Sequence, residues 1–193
     1  TVRTALHAQI LTVRSGSHSS TERAAGSTSP GAGVSNTANG FYKATGRAGP
    51  GGTGRANLYD SWGNDAFTAT PTSGTLSGSG FSNTATGFGR VNAFASTGTD
   101  TANLFDSSGN DAFYGLQTFS YLHGTGFLNY VNGFDQVTAH AGAGGTDTAY
   151  LYDSTGNDTF TTTPTTATLS GTGFSNTAAS FAVVNGYASS GTD

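Results

Sequence analysis

The octapeptide Asp60-Ser61-Trp62-Gly63-Asn64-Asp65-Ala66-Phe67 returns as Asp106-Ser107-Ser108-Gly109-Asn110-Asp111-Ala112-Phe113. It returns again as Asp153-Ser154-Thr155-Gly156-Asn157-Asp158-Thr159-Phe160. The copies stand 46 and 47 residues apart. Working outward, each follows the same approach, Thr-x-x-Ala-x-Leu-aromatic-Asp, as in Thr53 to Asp60, Thr99 to Asp106 and Thr146 to Asp153. Downstream, Phe81, Phe127 and Phe174 align, and then Phe88, Phe134 and Phe181. The extra residue of the middle copy falls in Ala141-Gly142-Ala143-Gly144-Gly145, a loop. A fixed period of this size marks stacked units that each bury their apolar face only against a neighbour.

The repeats divide the chain into residues 53–98, 99–145 and 146–193, with a divergent segment 1–52 before them. Val34-Ser35-Asn36-Thr37-Ala38-Asn39-Gly40-Phe41 matches Phe81-Ser82-Asn83-Thr84-Ala85-Thr86-Gly87-Phe88, so that segment is half of a fourth copy. Gly191-Thr192-Asp193 reads as the opening of a further one. Within each repeat a weaker spacing of 23 residues separates Leu58 from Phe81 and Asp60 from Asn83, with the same spacing in the other copies. It suggests two coils per repeat, with Asn83, Asn129 and Asn176 as ladder or turn residues.

Composition agrees with a thin repetitive structure. The 193 residues include 30 Gly, 33 Thr and 22 Ser, no Cys and no Met, and only 9 % are charged. Disorder goes with high net charge and few aromatics, whereas this chain has net charge −4, 13 Phe and 8 Tyr. Zero Cys excludes disulfides and thiolate chemistry, and no apolar run is long enough for a membrane-spanning helix. Ala149-Tyr150-Leu151-Tyr152 and the run from Thr159 are rich in aromatic and β-branched residues, which suit strands. Gly, Asn, Asp and Ser between them supply turns. The expected fold is therefore all-β: a β-solenoid, parallel β-helix-like, of about four repeats, with tandem β-sandwich-like repeats as the alternative.

The recurrent acids point to one kind of chemistry. Asp60 and Asp65, Asp106 and Asp111, and Asp153 and Asp158 are carboxylates five residues apart across a Gly turn, and Asp100 and Asp147 offer a third. Calcium takes six to eight oxygens from such groups. The competing reading needs no ion, because Asp and Asn also form turns through their own backbone. Gly63-Asn64-Asp65-Ala66-Phe67 and its copies resemble the Gly-x-Asp-x-apolar half of the calcium-binding nonapeptide of repeats-in-toxin (RTX) proteins. That resemblance implies calcium ligation by Asp65, Asp111 and Asp158. Here the leading Gly-Gly is replaced by Asp-Ser, and the spacing is 46–47 residues. As a whole the blocks resemble the Asp/Asn/Gly-rich repeats of large secreted or cell-surface bacterial proteins, which implies an extracellular location.

The stretch Thr159–Thr168 raises the idea of a flat threonine array matched to a water lattice. Such an array needs aligned ranks, and the middle block reads Tyr114-Gly115-Leu116-Gln117-Thr118-Phe119 at that place. The threonines are therefore expected to be ordinary solvent-facing strand residues. His7, His18, His123 and His140 do not recur in register, and no nucleophile elbow or phosphate loop is present, so no enzyme is expected.

Charge is divided along the chain. Arg3, Arg14, Arg23, Lys43, Arg47 and Arg55 precede residue 56, whereas all ten Asp lie beyond it. This favours head-to-tail contact between copies, and an open solenoid edge templates further strands. The expectation is a structural protein, a filament subunit whose N-terminal segment (Val2, Arg3, Leu6, Ile10, Arg14) meets the Asp193 end of its neighbour. The alternative is a calcium-dependent adhesion or spacer module. Nucleic acid is not an expected partner, because six basic residues spread over 55 positions make a weak footprint.

Overall fold

The computed structural model describes residues 9–23, 34–48 and 54–193. They form seventeen β-strands and no helix. Two long strands, β1 (Gln9–Arg23) and β2 (Val34–Arg47), come first. Each repeat then contributes five strands in one order: a single strand, a three-stranded antiparallel meander, and another single strand. The first set is β3 (Arg55–Tyr59), β4 (Ala66–Thr70), β5 (Ser73–Gly78), β6 (Phe81–Thr86) and β7 (Arg90–Phe94). The second is β8 (Thr101–Phe105), β9 (Ala112–Gly115), β10 (Phe119–Gly124), β11 (Phe127–Asn132) and β12 (Gln136–His140). The third is β13 (Thr148–Tyr152), β14 (Thr159–Thr162), β15 (Thr166–Gly171), β16 (Phe174–Ala179) and β17 (Val183–Tyr187).

The strands stack as a β-solenoid of about four turns, as the repeats imply. Its wall is two facing sheets. One runs from the first halves of β2 and β1 through β3, β7, β11, β10, β9, β13 and β17, and the other from the second halves of β1 and β2 through β6, β5, β4, β8, β12, β16, β15 and β14. The single strands of the first and third repeats lie in the first sheet and their meanders in the second. The middle repeat does the reverse. Successive repeats are thus related by a half-turn about the stacking direction.

The expected division of each repeat into two 23-residue coils is not what the register shows. Arg55 pairs with Arg90, 35 residues on, and Gln136 with Ser175, 39 residues on. The meander adds two strands to every circuit and lengthens it. Only β1 and β2, which lack a meander, approach the shorter coil, with Gln9 opposite Val34 and Ser19 opposite Lys43.

Alternation of buried and open positions, as in the iBiBi pattern of β13, sends one side chain in two between the sheets. Phe67, Phe113, Leu58, Leu76, Leu104, Leu122 and Leu151 are fully buried there. The rings of Phe67 and Phe134 approach to 6.2 Å, and those of Phe113 and Phe181 to 6.1 Å. Small residues let the sheets close: a Cβ on Gly115 of β9 would lie 2.9 Å from the Leu151 and Asn176 side chains. The second turn of each meander is a two-residue loop whose second member, Gly80, Gly126 or Gly173, has a positive φ that favours glycine (φ +81°, +83° and +77°).

The outward surfaces of the two sheets differ in chemistry. On the first, the central rank reads Asn57, Asn92, Tyr130, Tyr121, Tyr114, Tyr150, Asn185 across seven strands. Tyr114 stacks on both Tyr121 and Tyr150 at 4.7 Å, so the rings cover one another's faces. On the second, the central rank takes Thr84, Thr75 and Thr68 from one meander, then Asn103 and Thr138 from the single strands. It ends on Thr177, Thr168 and Thr161 of the other meander. Thr45 of β2 pairs with Thr84 and extends this rank. The expectation that the middle block interrupts the threonines is therefore corrected. Tyr114 and Leu116 belong to the opposite sheet, and Asn103 and Thr138 stand in the threonine rank instead.

Candidate metal centres

Each Asp-Ser-x-Gly-Asn-Asp turn leaves a single strand and enters a meander, so its polar groups gather at the edge of the solenoid. There they meet the equivalent corner of the next circuit. Three clusters result: Asp60, Asp65 and Asp100; Asp106, Asp111 and Asp147; Asp153, Asp158 and Asp193. In each, one oxygen per carboxylate lies within 4.8 Å of the others. The first two are the trios expected from the repeat. Asp193, expected at an assembly contact, is the third member of the last cluster, because it occupies the position of Asp100 and Asp147.

The three acids of a cluster have different structural tasks. The first bridges to the following circuit: Asp106 accepts from the Gly142 and Ala143 amides at 2.9 and 3.1 Å, and Asp153 from the Ser189 amide at 2.7 Å. The second closes its own turn, as Asp111 and Asp158 do by accepting from the amide and hydroxyl of Ser107 and Ser154, all at 2.8 Å. The third lies on the next circuit and accepts the second's amide: Asp100 from Asp65, Asp147 from Asp111 and Asp193 from Asp158, at 2.8–2.9 Å. Asn64, Asn110 and Asn157 accept the Thr99, Thr146 and Thr192 amides, each at 2.9 Å. Turn formation and a multi-carboxylate site therefore coexist in the same residues.

These bonds leave lone pairs over. Asp111 and Asp158 are each 4 % exposed, and their Oδ1 atoms accept no hydrogen bond. Burial pushes the Asp65, Asp100 and Asp147 carboxyls above the usual carboxylate range. Nearby acids add to the effect, Asp60, Asp65 and Asp135 at Asp100 and Asp106 and Asp111 at Asp147. The neighbouring charges that act on Asp147 are thus all negative. Asp135, which takes the Asp100 amide at 2.7 Å, escaped the sequence reading because the other repeats carry Gly89 and Ala182 there.

The buried acidic clusters are thus able to hold a metal ion.

The other site residues lie elsewhere. Asn83, Asn129 and Asn176 are not turn residues but buried strand residues that point between the sheets. Asn129 donates to the Thr70 carbonyl at 2.9 Å. Asn176 donates to the Leu116 carbonyl at 2.9 Å and accepts from the Ser120 hydroxyl at 3.0 Å. Ile10 and its neighbours to Val13 pair with both β2 and β3, so both edges of this stretch are occupied within the chain. Arg14 lies in β1, and Val2, Arg3 and Leu6 fall outside the described residues. No described helix is long and apolar enough to cross a membrane.

Comparison with protein-family models, curated proteins and solved structures finds no match for this chain.

Proposed function

We propose that this chain is a non-catalytic structural module of an extracellular or cell-surface protein, a β-solenoid spacer whose successive repeats are joined by calcium. The carrying observation is the threefold recurrence of a carboxylate trio whose third member lies one circuit on, 35 or 36 residues beyond the second. An ion in such a site neutralises charges that otherwise repel, and it ties two circuits together where the hydrogen bonds alone leave buried oxygens unmatched. Metal binding to the folded chain adds directly to its stability. Calorimetric titration of the purified chain with calcium is expected to give three sites and a rise in Tm. Unchanged Tm and no heat of binding at millimolar calcium would refute the calcium reading.

A second reading, head-to-tail assembly into a filament, is favoured by the direction of the free strand edges. Among the described residues, β14 and β17 have a strand neighbour on one side only at one end of the stack, as do the outer stretches of β1 and β2 at the other. Through the chain of pairings, all four run in the same sense. Translation along the axis therefore brings like-directed edges together in each sheet, and joins the end formed by the base-rich strands β1 and β2 to the end formed by the acidic tail. Phe160, Val183 and Tyr187 are 44–46 % exposed at that tail, and Phe160 and Tyr187 line a cavity of about 260 Å³ there. Electron microscopy should show filaments that shorten with salt; monodisperse particles at every concentration and ionic strength would exclude this assembly.

A further inference from the structure

The threonine surface of the second sheet has a regularity that neither calcium binding nor stacking requires. Its central rank is a single line of threonines interrupted once, by Asn103, from Thr45 to Thr161. The flanking outward rank adds Ser82, Ser77, Thr101, Ser175, Ser170 and Thr159, broken by Ala66 and Gln136. From β6 to β14 this surface carries no Asp, Glu, Lys or Arg at an outward position of a strand. The opposite sheet fills its central rank with stacked tyrosines, whereas here the rings stand to one side, Phe105 on His140 at 4.6 Å in the other flanking rank.

We propose that this surface orders a layer of water in an ice-like lattice and binds ice. Adjacent strands place equivalent side chains about 4.8 Å apart, and alternate residues along a strand lie about 6.7 Å apart. The two ranks therefore form a rectangular net of hydroxyls and methyls, with spacings close to those of oxygens on a face of hexagonal ice. Threonine suits such a net, because β-branching stiffens χ1 and its hydroxyl offers one donor and two acceptors. Four of the hydroxyls are also held in place: Thr75 bonds Thr84 at 2.9 Å and Thr168 bonds Thr177 at 2.9 Å, and each oxygen keeps a lone pair over. Each side chain is partly open, while the residues between them are buried in the core, so the net sits on a rigid backing. A net with no charge holds no strongly bound hydration shell that would disrupt the lattice.

The test uses the full chain, once with calcium and once with chelator, and reads freezing-point hysteresis, ice-crystal shape and adsorption of labelled protein to a single ice crystal. Wild type is expected to shape ice and adsorb. Thr138→Lys, at the centre of the net and outside the carboxylate trios, is expected to lose at least tenfold in hysteresis with circular dichroism unchanged. Thr125→Lys, in an exposed hairpin turn on the opposite sheet, is expected to match wild type. Folded wild type that leaves ice crystals unshaped overturns the proposal. So does an equally active Thr138→Lys, or a concentration-dependent dimer that this substitution dissolves, which would assign the surface to a second copy. Failure of calcium binding leaves these readouts standing, so the two conclusions fail separately.

Discussion

Asp147→Asn gives opposite signs with and without calcium. Asn preserves the shape of the side chain, and its carbonyl oxygen still accepts the Asp111 amide at 2.8 Å. What it removes is a buried negative charge repelled by Asp106 and Asp111. In chelator, therefore, Tm is expected to hold or rise. With calcium at a hundred times its dissociation constant, one site contributes about 2.7 kcal/mol. For a domain of this size that is about 5–11 °C in Tm. Asp147→Asn should forfeit that increment and reduce the calorimetric stoichiometry by one site. Differential scanning calorimetry of wild type and variant in both buffers measures all four values. Equal destabilisation in chelator and in calcium would refute the reasoning, because it would make Asp147 only a hydrogen-bond acceptor.

Three other outcomes follow from the packing. Gly124→Ala sets a methyl group against Asp111 Oδ1 and the Phe127 ring, and should cost about 3–5 kcal/mol in urea unfolding. Gly142→Ala, with nothing near its Cβ, should cost less than about 1 kcal/mol. Asn176→Ala breaks two bonds between the sheets and should cost about 2–3 kcal/mol, against about 1–2 kcal/mol for Asn129→Ala, which breaks one. The pH dependence of Tm should reverse sign with calcium. Without it, the folded chain holds Asp65, Asp100 and Asp147 above their ordinary range and so binds more protons than the unfolded chain. Stability then falls as pH rises from the usual carboxylate range through those raised values, whereas with calcium it rises across the same interval because the ligands must be ionised.

The repeat made the solenoid and the acid trios legible, since the spacing of Asp60, Asp65 and Asp100 returns in the other copies to within one residue. It concealed the sheet to which each copy belongs. A repeat crosses between the sheets three times, before its meander, after it and after its last strand. An odd number of crossings returns the chain to the opposite side, so sequence equivalents such as Thr68, Tyr114 and Thr161 do not share a surface. The inward turn of Asn83, Asn129 and Asn176 was hidden for a related reason. Asn129 and Asn176 donate to backbone carbonyls of the facing side, those of Thr70 and Leu116, at sequence separations of 59 and 60 residues. Local turn propensity carries no information about partners that distant.

The half-turn between neighbouring repeats sets the unit in which an array of this kind can change length. Removal of one repeat would join every downstream strand to the wrong side, placing Thr161 and Thr168 in line with the tyrosines. Removal of two restores the pattern. Recombination that conserves both surfaces therefore proceeds by pairs of repeats, and a length survey of such arrays would show steps of 93 residues, the distance from Asp60 to Asp153.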